Sequence, residues 1–120
     1  MKFLFAYDKD LNYISGLEKY RLLDFKGAID DYNRAIESNP NHPWAYNSRG
    51  EAKRKLNDFN GAIANYSTAI ENYPTHAGGY ILRGYARYKL GDKDGALMDW
   101  NMAGELGEKD AYYLIRLFIY

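Results

Sequence analysis

The 120-residue sequence contains no cysteine and has no excess of positive or negative charge. The lack of cysteine excludes disulfide bonds, thiolate metal sites and cysteine nucleophiles. Sixteen basic residues balance sixteen acidic ones, so the positive charge typical of a general nucleic-acid binder or a polybasic membrane binder is missing. A chain this neutral gives no electrostatic indication of its partner.

Long hydrophobic runs are missing as well. The apolar stretch at residues 3–7 holds five residues before Asp8, whereas the core of a secretory signal needs about 7–15. No stretch approaches the roughly 18–20 apolar residues that cross a bilayer. We therefore expect a soluble, cytoplasmic protein without a membrane partner, and a periplasmic location stays open if a signal peptide was removed.

The sequence does contain one 34-residue unit three times in succession, at residues 9–42, 43–76 and 77–110. Laid over one another without gaps, the three copies are identical at seven positions. These positions are Gly16/Gly50/Gly84, Leu22/Leu56/Leu90, Asp24/Asp58/Asp92, Gly27/Gly61/Gly95, Ala28/Ala62/Ala96, Ala35/Ala69/Ala103 and Glu37/Glu71/Glu105. A fixed period of this kind is typical of stacked structural units rather than of one globular core.

Each unit has the pattern of two helices joined by a short turn. Apolar residues recur three and four positions apart in two runs, and a polar break separates the runs. Asp24, Asp58 and Asp92 stand just before the second run, where a carboxylate can cap the free N–H groups of a helix. Pro43 is expected in the first turn of the helix that opens the second unit.

The repeated glycine lies in the middle of the first helix of each unit. Glycine costs about 1 kcal/mol relative to alanine at such a position, so its recurrence predicts that the second helix approaches closely there. The large side chains of Tyr32, Tyr66 and Trp100 are predicted to fill the core. Arg49 and Arg83 lie beside two of the glycines and are predicted to bridge helices.

The second unit carries the most complete pattern. It reads Tyr46-x-x-Arg49-Gly50-x-Ala52-x-x-Lys55-Leu56-x-Asp58-Phe59-x-Gly61-Ala62-Ile63-x-x-Tyr66-x-x-Ala69-Ile70-x-x-x-Pro74. This pattern resembles a tetratricopeptide repeat (TPR), over residues 9–110. The resemblance implies an all-α fold, a right-handed superhelical solenoid of three helix pairs with an N-terminal extension at 1–8 and a terminal capping helix at 111–120. The departures from the pattern lie in the outer repeats, at Asn12, Lys93 and Glu108.

The same resemblance implies a concave groove, lined by the first helix of each unit, in which a partner lies as a peptide or a helix. The residues assigned to this lining are Tyr13, Leu17 and Tyr20, then Trp44, Asn47, Glu51 and Arg54, then Ile81, Tyr85 and Tyr88. Aromatic anchors with a few charges are typical of interface hot spots. The alternative is that several of these side chains only pack against neighbouring helices.

Some tetratricopeptide proteins hold the C-terminal carboxylate of heat-shock chaperones with a clamp of lysine, asparagine and arginine. The matching places in this chain are Tyr13, Leu17, Ser48, Gly78 and Leu82. None of these side chains supplies the charges or amides of the clamp. We therefore expect a protein or peptide partner that is held in another way.

The terminal helix at residues 111–120 is apolar almost all round, and Arg116 is its only charge. A capping helix is expected to have a polar outer face. Either it packs on one side with some exposed tyrosine, or its outer side is buried against a second copy or another domain. The second reading gives an alternative function, self-assembly into a homodimer or larger oligomer, with Leu114, Leu117 and Phe118 as candidate contacts.

Enzyme and nucleic-acid functions have little support in the sequence. His42 and His76 occupy equivalent places in successive units, and about 10 Å between stacked units is too far for shared metal ligation. The basic run Lys53–Lys55 points in different directions on a helix, with Glu51 on the same face as two of its cations. We predict a non-enzymatic interaction adaptor without cofactor, metal or nucleic-acid partner.

Overall fold

The computed structural model describes the backbone of residues 2–120 and the side chains of residues 11–120. Over these residues the chain forms seven helices and no strand. The helices are α1 (Lys2–Arg21), α2 (Phe25–Ser38), α3 (Ala45–Lys55), α4 (Phe59–Asn72), α5 (Ala77–Lys89), α6 (Lys93–Glu105) and α7 (Ala111–Phe118). The predicted all-α right-handed solenoid of three helix pairs and a terminal helix is confirmed.

The helices are arranged in two layers. Each helix packs against the next one along the chain, and α1 also contacts α3 while α3 contacts α5. Among the described residues, α2, α4 and α6 make no comparable contact with one another. The first helices of the units therefore form the inner, concave layer. The molecule is elongated, 53 × 27 × 19 Å.

The turn inside each unit needs a left-handed backbone conformation. The residues at its three equivalent positions are Leu23, Asn57 and Gly91, with φ of 67°, 64° and 87°. Glycine and asparagine adopt this conformation readily, whereas another L-residue pays about 1–2 kcal/mol. The left-handed conformation of Leu23 therefore destabilises the first turn, whereas the other two turns carry no such penalty.

The aspartate that follows this turn caps the second helix, as predicted. The carboxylates of Asp24 and Asp58 each accept a hydrogen bond of 2.9 Å from the backbone N–H three residues on. Asp92 makes the same bond at 2.8 Å. Because the cap satisfies an N–H that lacks a partner within the helix, it fixes where the second helix begins.

The repeated glycine lets an aromatic ring of the second helix lie directly against the backbone of the first. A Cβ atom placed on Gly50 would lie 2.6 Å from Cε1 of Tyr66, and one on Gly84 would lie 2.5 Å from Nε1 of Trp100. Tyr66 and Trp100 are fully buried. The predicted close approach of the two helices is therefore present, with the aromatic ring as the contacting group.

Arg49 bridges helices, as predicted. Its Nε donates to Oδ1 of Asn65 at 2.6 Å, within the same unit. One of its terminal nitrogens donates to Oδ1 of Asn33 at 2.9 Å, in the preceding unit. One guanidinium group thus links three helices, and its planar set of five donors suits this better than a lysine would.

Arg83 repeats this bridge 34 residues later. It donates to both carboxylate oxygens of Asp99, at 2.9 and 2.8 Å, and to the hydroxyl of Ser67 in the preceding unit at 3.2 Å. Arg87 also donates to Asp99, at 2.9 Å. Asp99 is buried, and two guanidinium groups compensate its charge in the interior.

One helix start differs from the expectation. α3 begins at Ala45, so the placement of Pro43 in its first turn was wrong by two residues. The physical reason is His42, whose Nδ1 accepts hydrogen bonds from the N–H groups of Trp44 at 3.2 Å and Ala45 at 3.1 Å and so caps the helix after the proline. At the N-terminus the backbone from Lys2 continues α1, while the side chains of residues 1–10 lie outside those described.

We expect Gly50→Ala to destabilise the protein by at least about 1 kcal/mol, although alanine normally stabilises a helix by about that amount. The new methyl group would collide with the buried ring of Tyr66. The matched control is Gly78→Ala in α5, where the nearest atom is Nε2 of the exposed, flexible His76, so that variant should be neutral or more stable. Urea unfolding measures both, and an unchanged or increased stability of Gly50→Ala would contradict the packing described.

Candidate interaction groove

The concave face contains a hollow of about 130 Å³ between α1 and α3, named here the first hollow. It is lined by Leu17, Tyr20, Tyr32, Ser48 and Glu51. Leu17 is 43% exposed, whereas Tyr32 is almost completely buried. Three of the predicted lining residues, Leu17, Tyr20 and Glu51, therefore meet around one opening.

The concave face contains another hollow, of about 250 Å³, between α3 and α5, named here the second hollow. It is lined by Glu51, Arg54, Ile81, Leu82, Tyr85 and Leu114. Four of these six were predicted for the groove. Leu114 belongs to the terminal helix, so α7 closes this end of the groove.

The ion pair of Glu51 and Arg54 lies between the two hollows, and its two charges neutralise each other. Arg54 donates to both carboxylate oxygens of Glu51, at 3.1 and 3.0 Å. The hydroxyl of Tyr66 donates to the same carboxylate at 2.6 Å. Hydrogen bonding to Glu51 raises the pKa of Arg54, while burial and the adjacent carboxylate raise the pKa of Tyr66. Both groups keep their protons at neutral pH.

Two cations lie over the ring of Tyr85 at the second hollow, and one of them, Arg54, is paired with Glu51. The Cζ of Arg54 lies 5.5 Å from the ring centroid of Tyr85, and the Nζ of Lys89 lies 5.6 Å from the same centroid. Such contacts between a cation and an aromatic face contribute about 0.5–1 kcal/mol at exposed sites. They hold two cations at the groove surface.

An aromatic cluster marks the other end of the groove. The ring of Tyr13 lies 4.7 Å from that of His42 and 6.3 Å from that of Trp44, measured between centroids. The hydroxyls of Tyr13 and Ser48 are hydrogen-bonded at 2.9 Å, and burial raises the pKa of Tyr13. Trp44 is 58% exposed, so a large apolar surface is left at this rim.

Two of the predicted lining residues are engaged elsewhere. Asn47 faces Gly79, and its amide oxygen is buried without a hydrogen-bond partner among the described residues. Tyr88 packs against the rings of Phe118 and Trp100, with centroid distances of 5.1 and 6.2 Å. These two side chains therefore pack against neighbouring residues, as in the alternative given above, and line neither hollow.

The three residues of the terminal helix considered for self-association point in different directions. Leu114 faces the second hollow, and Phe118 lies against Tyr88. Leu117 is 73% exposed. Only this last side chain presents most of its apolar surface outward.

Tyr32 is a buried contributor to the groove that the sequence did not indicate. The pattern places it in the core, together with Tyr66 and Trp100. The hydroxyl of Tyr66 and the indole N–H of Trp100 are both hydrogen-bonded, whereas no described side chain or backbone group bonds the hydroxyl of Tyr32. The signal was available in the repeat alignment, because the position of Glu51 is occupied in the first unit by Leu17, which cannot accept such a bond.

Within residues 11–120, no cluster of three or more histidine or acidic side chains is placed to hold a metal ion. Among the helices that the structure describes, none combines the length and the apolar character needed to cross a bilayer.

The fold and the groove define an α-helical repeat protein that presents an extended surface. The family profile described as TPR repeat matches residues 16–56, and the profile described as Tetratricopeptide repeat matches residues 47–105. The chain belongs to the tetratricopeptide repeat family. Members of this family generally act as interaction modules rather than as enzymes. No curated protein gives a match.

Solved structures with the same fold include the first TPR domain of Spaghetti (RPAP3) bound to the HSP90 peptide SRMEEVD. It has a TM-score of 0.87 and 22% identity, covering 92% of this chain and 89% of that one. The TPR2B domain of yeast Sti1 in complex with pHsp70 has a TM-score of 0.85 and 24% identity. The match covers 92% of this chain and 93% of that domain. MamA has a TM-score of 0.81 and 28% identity, and the match covers 88% of this chain and 61% of MamA. At under 25% identity the first two show the fold alone.

We expect Tyr66→Phe to destabilise the protein by about 1–2 kcal/mol, because it removes a hydrogen bond to a carboxylate. The matched variant Tyr32→Phe should change stability by less than about 0.5 kcal/mol, because no group among the described residues bonds its hydroxyl. Chemical unfolding curves of the two variants measure both changes in the free energy of unfolding. Equal losses would contradict the difference between these two equivalent tyrosines.

Proposed function

We propose that this protein is an interaction adaptor that binds a peptide or a helix of another protein in its concave groove. The observation that carries the proposal is the pair of hollows on either side of the Glu51–Arg54 ion pair. Each hollow can bury an apolar side chain, and burial of one such side chain contributes about 1.5–3 kcal/mol. Since the ion pair is already neutralised, a partner can cover it without leaving either charge unpaired.

The chaperone-tail mode is not part of this proposal. The domains of Spaghetti and Sti1 are described with HSP90 and pHsp70 ligands, and this supports a peptide partner in general terms. At the clamp places, however, the hydroxyls of Tyr13 and Ser48 bond each other. Leu17 and Leu82 line the two hollows with apolar atoms. Nucleic acid is not proposed as a partner either, because Arg54 is paired with Glu51.

We expect peptides selected from a random displayed library on the wild-type protein to lose at least about tenfold in affinity when Leu17 is changed to Gln. The change removes the apolar surface of the first hollow without adding charge. Fluorescence anisotropy with labelled peptides measures the loss.

Met98→Gln is the matched control, because Met98 is 72% exposed on α6, in the outer layer. It should leave the affinity unchanged, and the HSP90 peptide SRMEEVD should not bind. Selected peptides that bind both variants as well as the wild type would contradict the groove as the binding surface.

Self-association through α7 is the second candidate. Leu117, Tyr113 and Tyr120 are 73%, 62% and 89% exposed on this helix and at its end. A cluster of exposed apolar side chains of this kind is typical of interaction surfaces. At the equivalent position the two preceding units carry Arg49 and Arg83, which bond to neighbouring helices, whereas Leu117 has no such partner among the described residues.

If this surface joins two copies, light scattering should give the mass of a dimer for the wild type and of a monomer for Leu117→Asp. The cause would be the burial of an unpaired carboxylate in an apolar contact. Leu23→Asp, at a leucine of similar exposure in the first turn, should leave the dimer intact. A monomeric wild type would eliminate this candidate.

A further inference from the structure

One end of the stack presents an open face of α1, which carries Leu11, Ile14 and Glu18 and is named here the head. Leu11 and Ile14 are 43% and 47% exposed. The counterparts of the three residues in the later units are Ala45, Ser48 and Ala52, then Gly79, Leu82 and Ala86. The three alanines among these counterparts are completely buried. Large exposed side chains therefore stand in the first unit where small or packed ones stand in the other two.

The counterparts of the head face the preceding unit of the stack. A Cβ atom on Gly79 would lie 3.0 Å from Cγ1 of Ile70, which belongs to the unit before it. The hydroxyl of Ser48 is hydrogen-bonded to that of Tyr13, again in the unit before it, at 2.9 Å. The head is therefore the face of α1 that another unit would cover if the stack continued in that direction.

The opposite end of the stack presents the exposed face of α7, which carries Tyr113, Leu117 and Tyr120 and is named here the tail. These side chains are 62%, 73% and 89% exposed. They lie at i, i+4 and i+7, a spacing that places side chains on one side of a helix. Both ends of the stack are therefore apolar.

The tail also contains a hollow of about 270 Å³ beside Tyr113. It is lined by Lys109, Tyr112, Tyr113 and Arg116. Residues at i, i+3, i+4 and i+7 form the hole that receives one side chain of a facing helix in knobs-into-holes packing. The aliphatic stems of the two cations can surround an apolar side chain there while their charged ends stay in water.

The head carries an acid that matches these two cations. Glu18 lies one turn beyond Ile14, and its only described ion pair is an exposed one with Arg21, at 2.6 Å. Lys109 and Arg116 lie at the two ends of the hollow. When Ile14 enters the hollow, Glu18 therefore lies near one of these cations whichever way α1 runs.

We propose that the head of one copy of this chain docks on the tail of another, so that copies associate head to tail. The contact continues between copies the stacking that joins units within one copy, and Leu11 or Ile14 enters the hollow on the tail. This inference rests on self-association through α7, the second candidate function above, and specifies the surface that α7 contacts. Because head and tail are different surfaces, each added copy leaves one of each free, and the assembly stays open.

The test uses two single variants that each block one end. Leu11→Asp places a carboxylate on the head, and Leu117→Asp places one on the tail. The matched control is Met98→Asp, at a residue 72% exposed on α6 and outside both ends. Circular dichroism checks that all three variants keep the helical fold, and sedimentation velocity over a range of concentrations measures their masses.

We expect the mass of the wild type to rise with concentration beyond that of two copies, the dimer being the first member of the series. Each end variant alone should associate at least about tenfold more weakly, because docking would bury an unpaired carboxylate. An equimolar mixture of the two should give the mass of two copies and no more, since one keeps its tail and the other its head. Met98→Asp should behave as the wild type does.

The outcomes separate this inference from self-association through α7 in general. If Leu117→Asp is monomeric while Leu11→Asp still dimerises, α7 joins two copies without the head, and only the head-to-tail contact is rejected. A mixture of the two variants that stays monomeric also overturns that contact. A wild type that is monomeric at every concentration, or association lost only with Leu11→Asp, rejects both.

Discussion

The contact between a glycine backbone and an aromatic ring determines the spacing of each helix pair, and the remaining architecture depends on it. With no Cβ at Gly50 or Gly84, the rings of Tyr66 and Trp100 lie against the helix backbone and are fully buried. Any larger residue would separate the two helices by the thickness of a methyl group. Close-packed interiors do not absorb such a change at one point, so the angle between units would change as well.

Polar bridges then set how one unit stacks on the next. Arg49 and Arg83 each reach a second helix of their own unit and one of the preceding unit. The series stops at α7, where the equivalent position holds Leu117. An interior bridge and an exposed apolar side chain thus occupy equivalent places.

The groove results from this regularity combined with local differences. Packing requires each copy to repeat its small and aromatic residues, but it leaves the concave positions unconstrained. One consequence is the contrast between Leu17 and Glu51. The carboxylate of Glu51 accepts a hydrogen bond from Tyr66 behind it in the second unit, whereas Leu17 offers no acceptor to the hydroxyl of Tyr32. Equivalent hollows therefore differ in polarity although the backbone repeats.

The sequence by itself determined the number of units, their helical pairs, the aspartate caps and the glycine contacts, because these features follow from local chemistry repeated at a fixed period. It also predicted a groove lining, and six of those residues lie around the two hollows. Only the tertiary structure decided that His42 caps α3, that Tyr88 packs under Phe118, and that Leu114 closes the second hollow. Each of these depends on side chains from different helices meeting in space. The repeat period fixes where a residue lies on its helix, but the stacking of the helices fixes what that residue contacts.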